Sequence, residues 1–318
     1  MQHRHPITRS SADRLISLLD RRVAAVSAQL RGARSGDVTA VHHARVASRR
    51  LREAIPVVGA SVEARLAQKA SRRVRRLTRA LGPVREMDVT IGLLDRLVAD
   101  RPDFTAAIAA TRARAVAERE SRRMAMLRAL RPSEVAATES AVARVRDGVP
   151  PGDTRWREVL ARRIRRRGAD LRAAVDEAGI LYNIEAVHAV RIAAKKLRYA
   201  LELAGELRAA AAARSVTHLK RVQDLLGHLH DLDVVASLAL AEAAEGSVAT
   251  LAEADAGFVE FVHGACREIH ARYLAGRQRV VELADDAVAR LAVAVASEPT
   301  TPRVVSISGR RVASGSEG

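Results

Sequence analysis

The chain repeats itself. Val41–Ile55 reads VHHARVASRRLREAI, and VHAVRIAAKKLRYAL begins at Val187, 146 residues later. Both spell V-H-x-x-R-[VI]-A-x-[RK]-[RK]-L-R-x-A. A second signature, LGPVREMDV at Leu81, returns as LGHLHDLDV at Leu226, 145 residues later. Two unrelated patterns recurring at almost one spacing, with a single residue gained or lost between them, describe a duplicated unit of domain size. The densest Pro/Gly cluster of the folded region, GVPPGD at 148–153, marks the junction. We therefore divide the chain into a first half, residues 1–149, a second half, residues 150–296, and a tail, residues 297–318. The tail turns to Pro, Thr, Ser, Gly and Arg, buries too little apolar surface to fold alone, and is expected to be disordered.

The repeated unit is helical by composition and by period. Aromatic residues make up only 2% of the chain against 48% hydrophobic residues overall, so the core is built from Ala, Leu, Val and Ile, which suits helix packed on helix. Apolar spacing predicts helices over 8–32, 39–59, 62–81, 85–99, 103–130 and 133–147 in the first half. In the second half it predicts 154–178, 183–208, 213–228, 230–245 and 248–296, with a break near Gly276. Short links between long amphipathic helices make antiparallel neighbours. The expected fold class is all-α, two antiparallel helical bundles related by internal duplication and pseudo-twofold symmetry.

A formal charge of +17 and a pI near 11.3 point to polyanionic partners. Only four of the 54 basic residues are lysines (Lys69, Lys195, Lys196 and Lys220), so 54 minus 4 leaves 50 arginines, whose planar forks suit phosphate oxygens. The single cysteine, Cys266, excludes an intramolecular disulfide and a Cys-based zinc cage, and it reads as a buried small apolar residue. Residues 1–15 contain no apolar signal core, and no apolar run approaches 18 residues. A soluble, cytoplasmic protein without membrane contact is expected.

Where the charge sits on the motif helices is more telling than its sum. At roughly 100° per residue, Ala44, Ala47, Leu51 and Ile55 form an apolar stripe, while His42, Arg45, Arg49 and Arg52 share another arc. The second copy presents His188, Arg191, Lys195 and Arg198 in the same way, with Arg50 and Lys196 flanking the two arcs. A further basic face follows in the first half, Arg72, Arg75, Arg76 and Arg79; its counterpart in the second is thinner and keeps Lys220 and Arg221. Like charges at i, i+4 repel, so an anion should offset these faces. For any single helix an ordinary solvated surface is the competing reading; the duplication argues against it for the set. Sequence-specific nucleic-acid readers bring aromatic platforms or recognisable motifs, and here only Tyr199 is interleaved with the basic helices.

Other clusters carry less. His228, His230, Asp231 and Asp233 suggest a metal or phosphohydrolase centre, but neighbours two apart on a helix diverge, and we read Asp88 and Asp233 as helix-start carboxylates. His42 and His188 have no nucleophile or acid pair beside them in sequence. Glu202 lies on the second basic arc, where it is expected to orient Arg198 or a neighbouring base. Trp156 and Tyr182 read as core or cap residues. No catalytic residue, no metal site and no cofactor is expected.

The segments VHHARVASRRLR, LGPVREMDV, VHAVRIAAKKLRYALE and QDLLGHLHDLDV resemble the CHAD family, the conserved-histidine α-helical domain, in order and spacing from about residue 8 to 296. The resemblance implies a pair of helical bundles enclosing a basic central channel that binds inorganic polyphosphate. It implies as channel lining His42, Arg45, Arg49, Arg52, His188, Arg191, Lys195 and Arg198, together with Arg72, Arg75, Arg76 and Arg79 and, opposite, Lys220 and Arg221. Many relatives carry an N-terminal triphosphate-tunnel (CYTH) domain marked by E-x-E-x-K; this chain has no such motif, since Glu118 and Glu120 are followed by Ser121 and Arg122. A stand-alone binding protein without catalysis is therefore expected, associated with polyphosphate granules, with divalent cations entering only in company with the ligand. The alternatives are a general nucleic-acid-binding, nucleoid-associated protein that takes nucleic acid non-specifically, and, third, a polyphosphate-processing enzyme.

Overall fold

The computed structural model describes residues 11–245 and 249–297, without the side chains of 245 and 249–255. The proposed tail beyond Ser297 lies outside the described residues. The chain runs through α1 (Ser11–Ser35), α2 (Val38–Val58), α3 (Ala64–Asp100), α4 (Thr105–Ala129) and α5 (Pro132–Asp147). It continues through α6 (Arg155–Ala178), α7 (Ile184–Glu206), α8 (Ala213–Glu245), α9 (Ala249–Asp286) and the short α10 (Ala292–Ala296). No strand occurs among the described residues. No helix there is long and apolar enough to cross a membrane.

The two copies of the motif helix are built alike. Asp37 caps α2 by accepting from the Ala40 amide at 2.6 Å, and Asn183, 146 residues on, caps α7 by accepting from the Ala186 amide at 2.9 Å. Val41, Ala44, Ala47, Leu51, Ala54 and Ile55 are buried on α2; Val187, Val190, Ala193, Leu197, Ala200 and Leu201, each 146 later, are buried on α7. The apolar stripe thus has one register in both copies and turns both basic arcs away from their cores.

The predicted breaks at 81–85 and 228–230 are absent: α3 and α8 run straight through both Leu-Gly signatures. Pro83 sits inside α3. Proline removes one backbone donor, but packing on both sides holds the helix: Leu81, Val84 and Met87 are buried, and Arg122 of α4 donates to the Pro83 carbonyl at 3.4 Å. Asp88 and Asp233 consequently lie in helix interiors and start no helix. Asp88 is buried against Arg119 Nε at 2.6 Å, and burial pushes the Asp233 carboxyl up. Nor does α9 break at Gly276; the irregularity is a π-turn at Ala287–Leu291.

Glu53 of α2 joins the halves. It is 7% exposed and receives Arg163 Nε at 3.1 Å and Arg167 Nη2 at 2.6 Å, both from α6. A second ion pair, Arg22 of α1 with Glu206 of α7, also crosses between the halves, with the charges reversed. Near the π-turn, α6 approaches so closely that a Cβ on Gly168 would stand 2.7 Å from Val288 Cγ2 and 2.9 Å from the Ala284 carbonyl oxygen. The carbonyl cannot rotate away, so Gly168→Ala is expected to cost about 1–3 kcal/mol, read as a lower midpoint in urea with an unchanged slope.

Candidate functional site

α2 and α3 of the first half and α7 and α8 of the second meet around an open cleft of about 1000 Å³. α2 supplies His42, Arg45 and Arg49; α3 supplies Arg85 and Glu86; α7 supplies Arg191; α8 supplies Gln223, Asp224, Gly227, His228, His230 and Asp231. Many of these are corresponding residues of the repeat. Arg45 and Arg191 differ by 146, and Arg85 and His230, and Glu86 and Asp231, by 145. Recurrence of a motif in the sequence does not require its two occurrences to face one space; the packing of these four helices brings them there.

The Leu-Gly signature supplies seats for the motif arginines. Arg45 Nη1 donates to the Gly82 carbonyl at 2.8 Å, and its guanidinium lies over the bare face of that glycine. Arg191 Nε stands 3.8 Å from where a Cβ of Gly227 would be, so the second copy repeats the contact. The Nε of both arginines is buried with no hydrogen-bond partner among the described residues. Burial first, then the charge of Arg49, lowers Arg45 to about 10; burial lowers Arg191 also.

Crowded positive charge perturbs the weaker bases more. Burial, followed by Arg49, Arg191, Arg45 and Arg52, pushes Lys195 down to about 6. His188, its ring 4.7 Å from that of His230, is pushed down to about 4 by burial and then by His230, Arg191 and Lys195. Burial and Arg85 lower His42. At neutral pH both motif histidines are therefore neutral and present a ring N–H or a lone pair according to tautomer. Two carboxylates share the cleft. Glu86 is held down to about 2 by His230, at an ion-pair distance of 3.6 Å, and against its own burial by Arg122 at 2.7 Å. Burial raises Asp231, with Arg191 opposing. Among the described residues, no three His, Cys, Asp or Glu side chains stand together as a possible metal site.

The sequence-derived residues fall into three groups. His42, Arg45, Arg49 and Arg191 line the cleft itself; His188 packs on its wall through His230; Lys195 and Arg52 continue the basic surface beside Arg49. Arg72, Arg75 and Arg79 are exposed on α3 and fall within roughly 40° of Glu86 on an ideal helix, while Arg76 is about 80° away. Arg75 stands close enough to Arg52 to lower its pKa after burial and Arg49, and Arg76 turns to Glu134 of α5 at 3.3 Å. Lys220 and Arg221 are exposed one turn before the cleft-lining part of α8. In the third group, Arg198 donates to cleft-lining Gln223 at 2.9 Å and to Glu202 at 2.7 Å, Arg50 pairs with Glu202 at 3.5 Å, and the Lys196 side chain is exposed while its backbone carbonyl accepts from Arg167. Glu202 does orient Arg198, and Arg50 besides.

Sequence reasoning passed over Arg85, Glu86, Gln223, Asp224 and Gly227 as cleft residues, and set His228, His230 and Asp231 aside. The available signal was the second signature itself: Gly82, Arg85 and Glu86, like Gly227, His230 and Asp231, recur at i, i+3, i+4 and share one helix face.

A family model for the CHAD domain matches residues 17–240, 224 of the 318. Among solved structures, the CHAD domain from the plant Ricinus communis is similar with a TM-score of 0.61 and 19% identity, covering 87% of this chain and 92% of that one. PptA from Streptomyces chartreusis is similar with a TM-score of 0.58 and 18% identity, covering 90% of this chain and 99% of that one. These likenesses speak to the fold. No curated protein matches the chain.

Proposed function

Because this chain belongs to the CHAD family, we propose that it binds inorganic polyphosphate in the cleft between its halves and does not turn the polymer over. The observation that carries this reading is the convergence of Arg45, Arg49 and Arg191, from two copies of one motif, on a single open space. A linear polyanion offers a charge at each repeat and can answer an extended row of cations. Arg52, Lys195 and Arg75 lengthen that row beyond the cleft proper. Neutral His42 and His188 add hydrogen bonds in place of charge. No Phe, Tyr or Trp side chain lines the cleft, so stacked bases have no large aromatic platform there and meet only imidazoles. Divalent cations enter this reading as counterions carried by the polymer.

Binding should weaken steeply with salt, by about tenfold or more from 50 to 200 mM, by analogy with counterion release from nucleic acids. Affinity should rise with chain length until the row of cations is filled. The deciding experiment is competition at matched phosphate concentration: long polyphosphate displaces duplex DNA, and DNA displaces polyphosphate poorly. Equal displacement in both directions would favour general nucleic-acid binding, and shortening of the polymer on a gel in Mg²⁺ would favour an enzyme.

Binding should also take up a proton. Lys195, lowered to about 6 in the free protein, is mostly uncharged at pH 7.5, and a bound polyanion raises its pKa. Below pH 6 the amine is charged in both states and affinity is highest. Above that, affinity falls as pH rises until the pKa of the complex is reached. Calorimetry at pH 7.5 in buffers of different ionisation enthalpy should show uptake of roughly one proton, largely lost in Lys195→Arg. Binding enthalpies that do not depend on the buffer would refute this coupling.

A further inference from the structure

Lys195 stands apart from the other lysines. Lys69, Lys196 and Lys220 are exposed, whereas Lys195 is half-buried one turn beyond Arg191 on α7 and is faced by Arg45, Arg49 and Arg52 of α2. The carboxylates on surrounding helices are engaged by other bases. Glu202 of α7 holds Arg198 and Arg50, and Glu53 of α2 holds Arg163 and Arg167 of α6. Glu86 of α3 holds Arg122, and on α8 Gln223 accepts from Arg198 while Asp231 faces Arg191. Lys195 itself has no ion pair or hydrogen bond among the described residues. A lysine wrapped in guanidiniums without a carboxylate is an amine with a free electron pair at neutral pH, consistent with its lowering to about 6.

We propose that Lys195 is an acylation site whose acyl donors are acyl phosphates, the mixed anhydrides of a small carboxylic acid and phosphoric acid. The donor's phosphate would be held by the arginines around the amine, which brings its carbonyl carbon within reach. The nitrogen of Lys195 attacks that carbon and the N–C bond forms. The C–O bond to phosphate breaks, and the phosphate leaves with its electron pair, its charge met by the same guanidiniums. The proton released from nitrogen passes to the departing phosphate. The products are an amide on Lys195 and inorganic phosphate, and no further reactant is required. The amide cannot accept a proton, so the modified protein would lose the cation that a polyanion otherwise induces there. Capture of the donor rests on the cleft being a phosphate site, as proposed above; the reactivity of the amine rests only on its surroundings.

The chain's four lysines make the test internally controlled. The intact protein is incubated with acetyl phosphate at pH 7, and acetylation of each lysine is followed by peptide mass spectrometry, with polyphosphate binding measured on the same preparation. Lys195 is expected to react at least about tenfold faster than Lys69, Lys196 or Lys220, because it alone of the four is half-buried among arginines without a carboxylate. Between pH 7 and 9 the rate at Lys195 should change by less than about twofold. Long polyphosphate should protect Lys195 alone. Acetylation of Lys195 no faster than that of the exposed lysines, in protein that binds polyphosphate, overturns the proposal and leaves the functional reading standing. Selective acetylation in protein that fails to bind polyphosphate keeps the site and sinks the functional reading.

Discussion

Reversing Arg49 and Arg52 to glutamate together should lower polyphosphate affinity by at least about a hundredfold, whereas the charge-matched change Arg31→Glu with Arg272→Glu should lower it by less than about threefold. Each lost charge-assisted contact is worth roughly 1–3 kcal/mol, and two new carboxylates add repulsion. Arg49 lines the cleft and Arg52 lies beside it, one turn on. Neither makes a side-chain hydrogen bond or ion pair among the described residues, so their removal strands no partner. Arg31 and Arg272 are exposed on α1 and α9, outside the cleft lining. Both double variants change the net charge by the same four units, so long-range attraction falls alike and only local contact differs. Titration by fluorescence anisotropy at fixed salt reads the difference, with circular dichroism confirming that both variants stay helical. Equal losses in the two variants would mean that diffuse charge, and not the cleft, holds the polymer. The cluster also repels itself: with burial foremost, Arg49 is among the causes that lower Arg45, Arg52 and Lys195. The Arg49→Glu, Arg52→Glu protein is therefore expected to unfold at no lower temperature than the parent.

Glu53→Ala should cost about 3–5 kcal/mol of stability, because it leaves two guanidiniums facing each other without their carboxylate. Glu53 is buried, and the side chains of Arg163 and Arg167 are 28% and 13% exposed, so water cannot take its place freely. Burial, opposed by Glu53 itself, already holds Arg167 below its ordinary pKa. Glu53→Gln should be milder, since an amide oxygen still accepts one hydrogen bond. The bridge ties α2 to α6, so the change should also weaken polyphosphate binding by loosening the seam on which the cleft depends. Urea unfolding read by circular dichroism, together with binding measured well below the transition, separates the two effects. A Glu53→Ala protein as stable as the parent would show that this bridge contributes nothing to holding the halves together.

The sequence by itself determined the helical class, the recurrence of two motifs and the identity of the motif faces. Helical period is a local and additive property, legible wherever apolar residues recur at i, i+3 and i+4, and the 146-residue offset is read by matching one stretch of sequence to another. They correctly divided Ala44, Ala47 and Leu51 from Arg45, Arg49 and Arg52, and did the same for the second copy. Local rules failed at Leu81-Gly82-Pro83, where a breaker motif lies inside a continuous helix. There the buried contacts of Leu81, Val84 and Met87 outweigh the weak local preference for a stop, and the same misreading made Asp88 and Asp233 seem to be helix starts.

Only the tertiary structure decided which charges share a space. No periodicity shows that Arg45 would rest on Gly82 and Arg191 beside Gly227, or that Arg85, Glu86, His230 and Asp231 would face the motif arginines. Nor does spacing along one helix reveal that Arg76 would turn to Glu134 and Arg198 to Gln223 and Glu202, while Arg49 and Lys195 went without a carboxylate. Electrostatic character depends on separation in space and on desolvation, and both are fixed by how α2, α3, α7 and α8 pack. Lys195 and Lys196 are neighbours in the chain, yet one is half-buried among four arginines and the other stands in solvent.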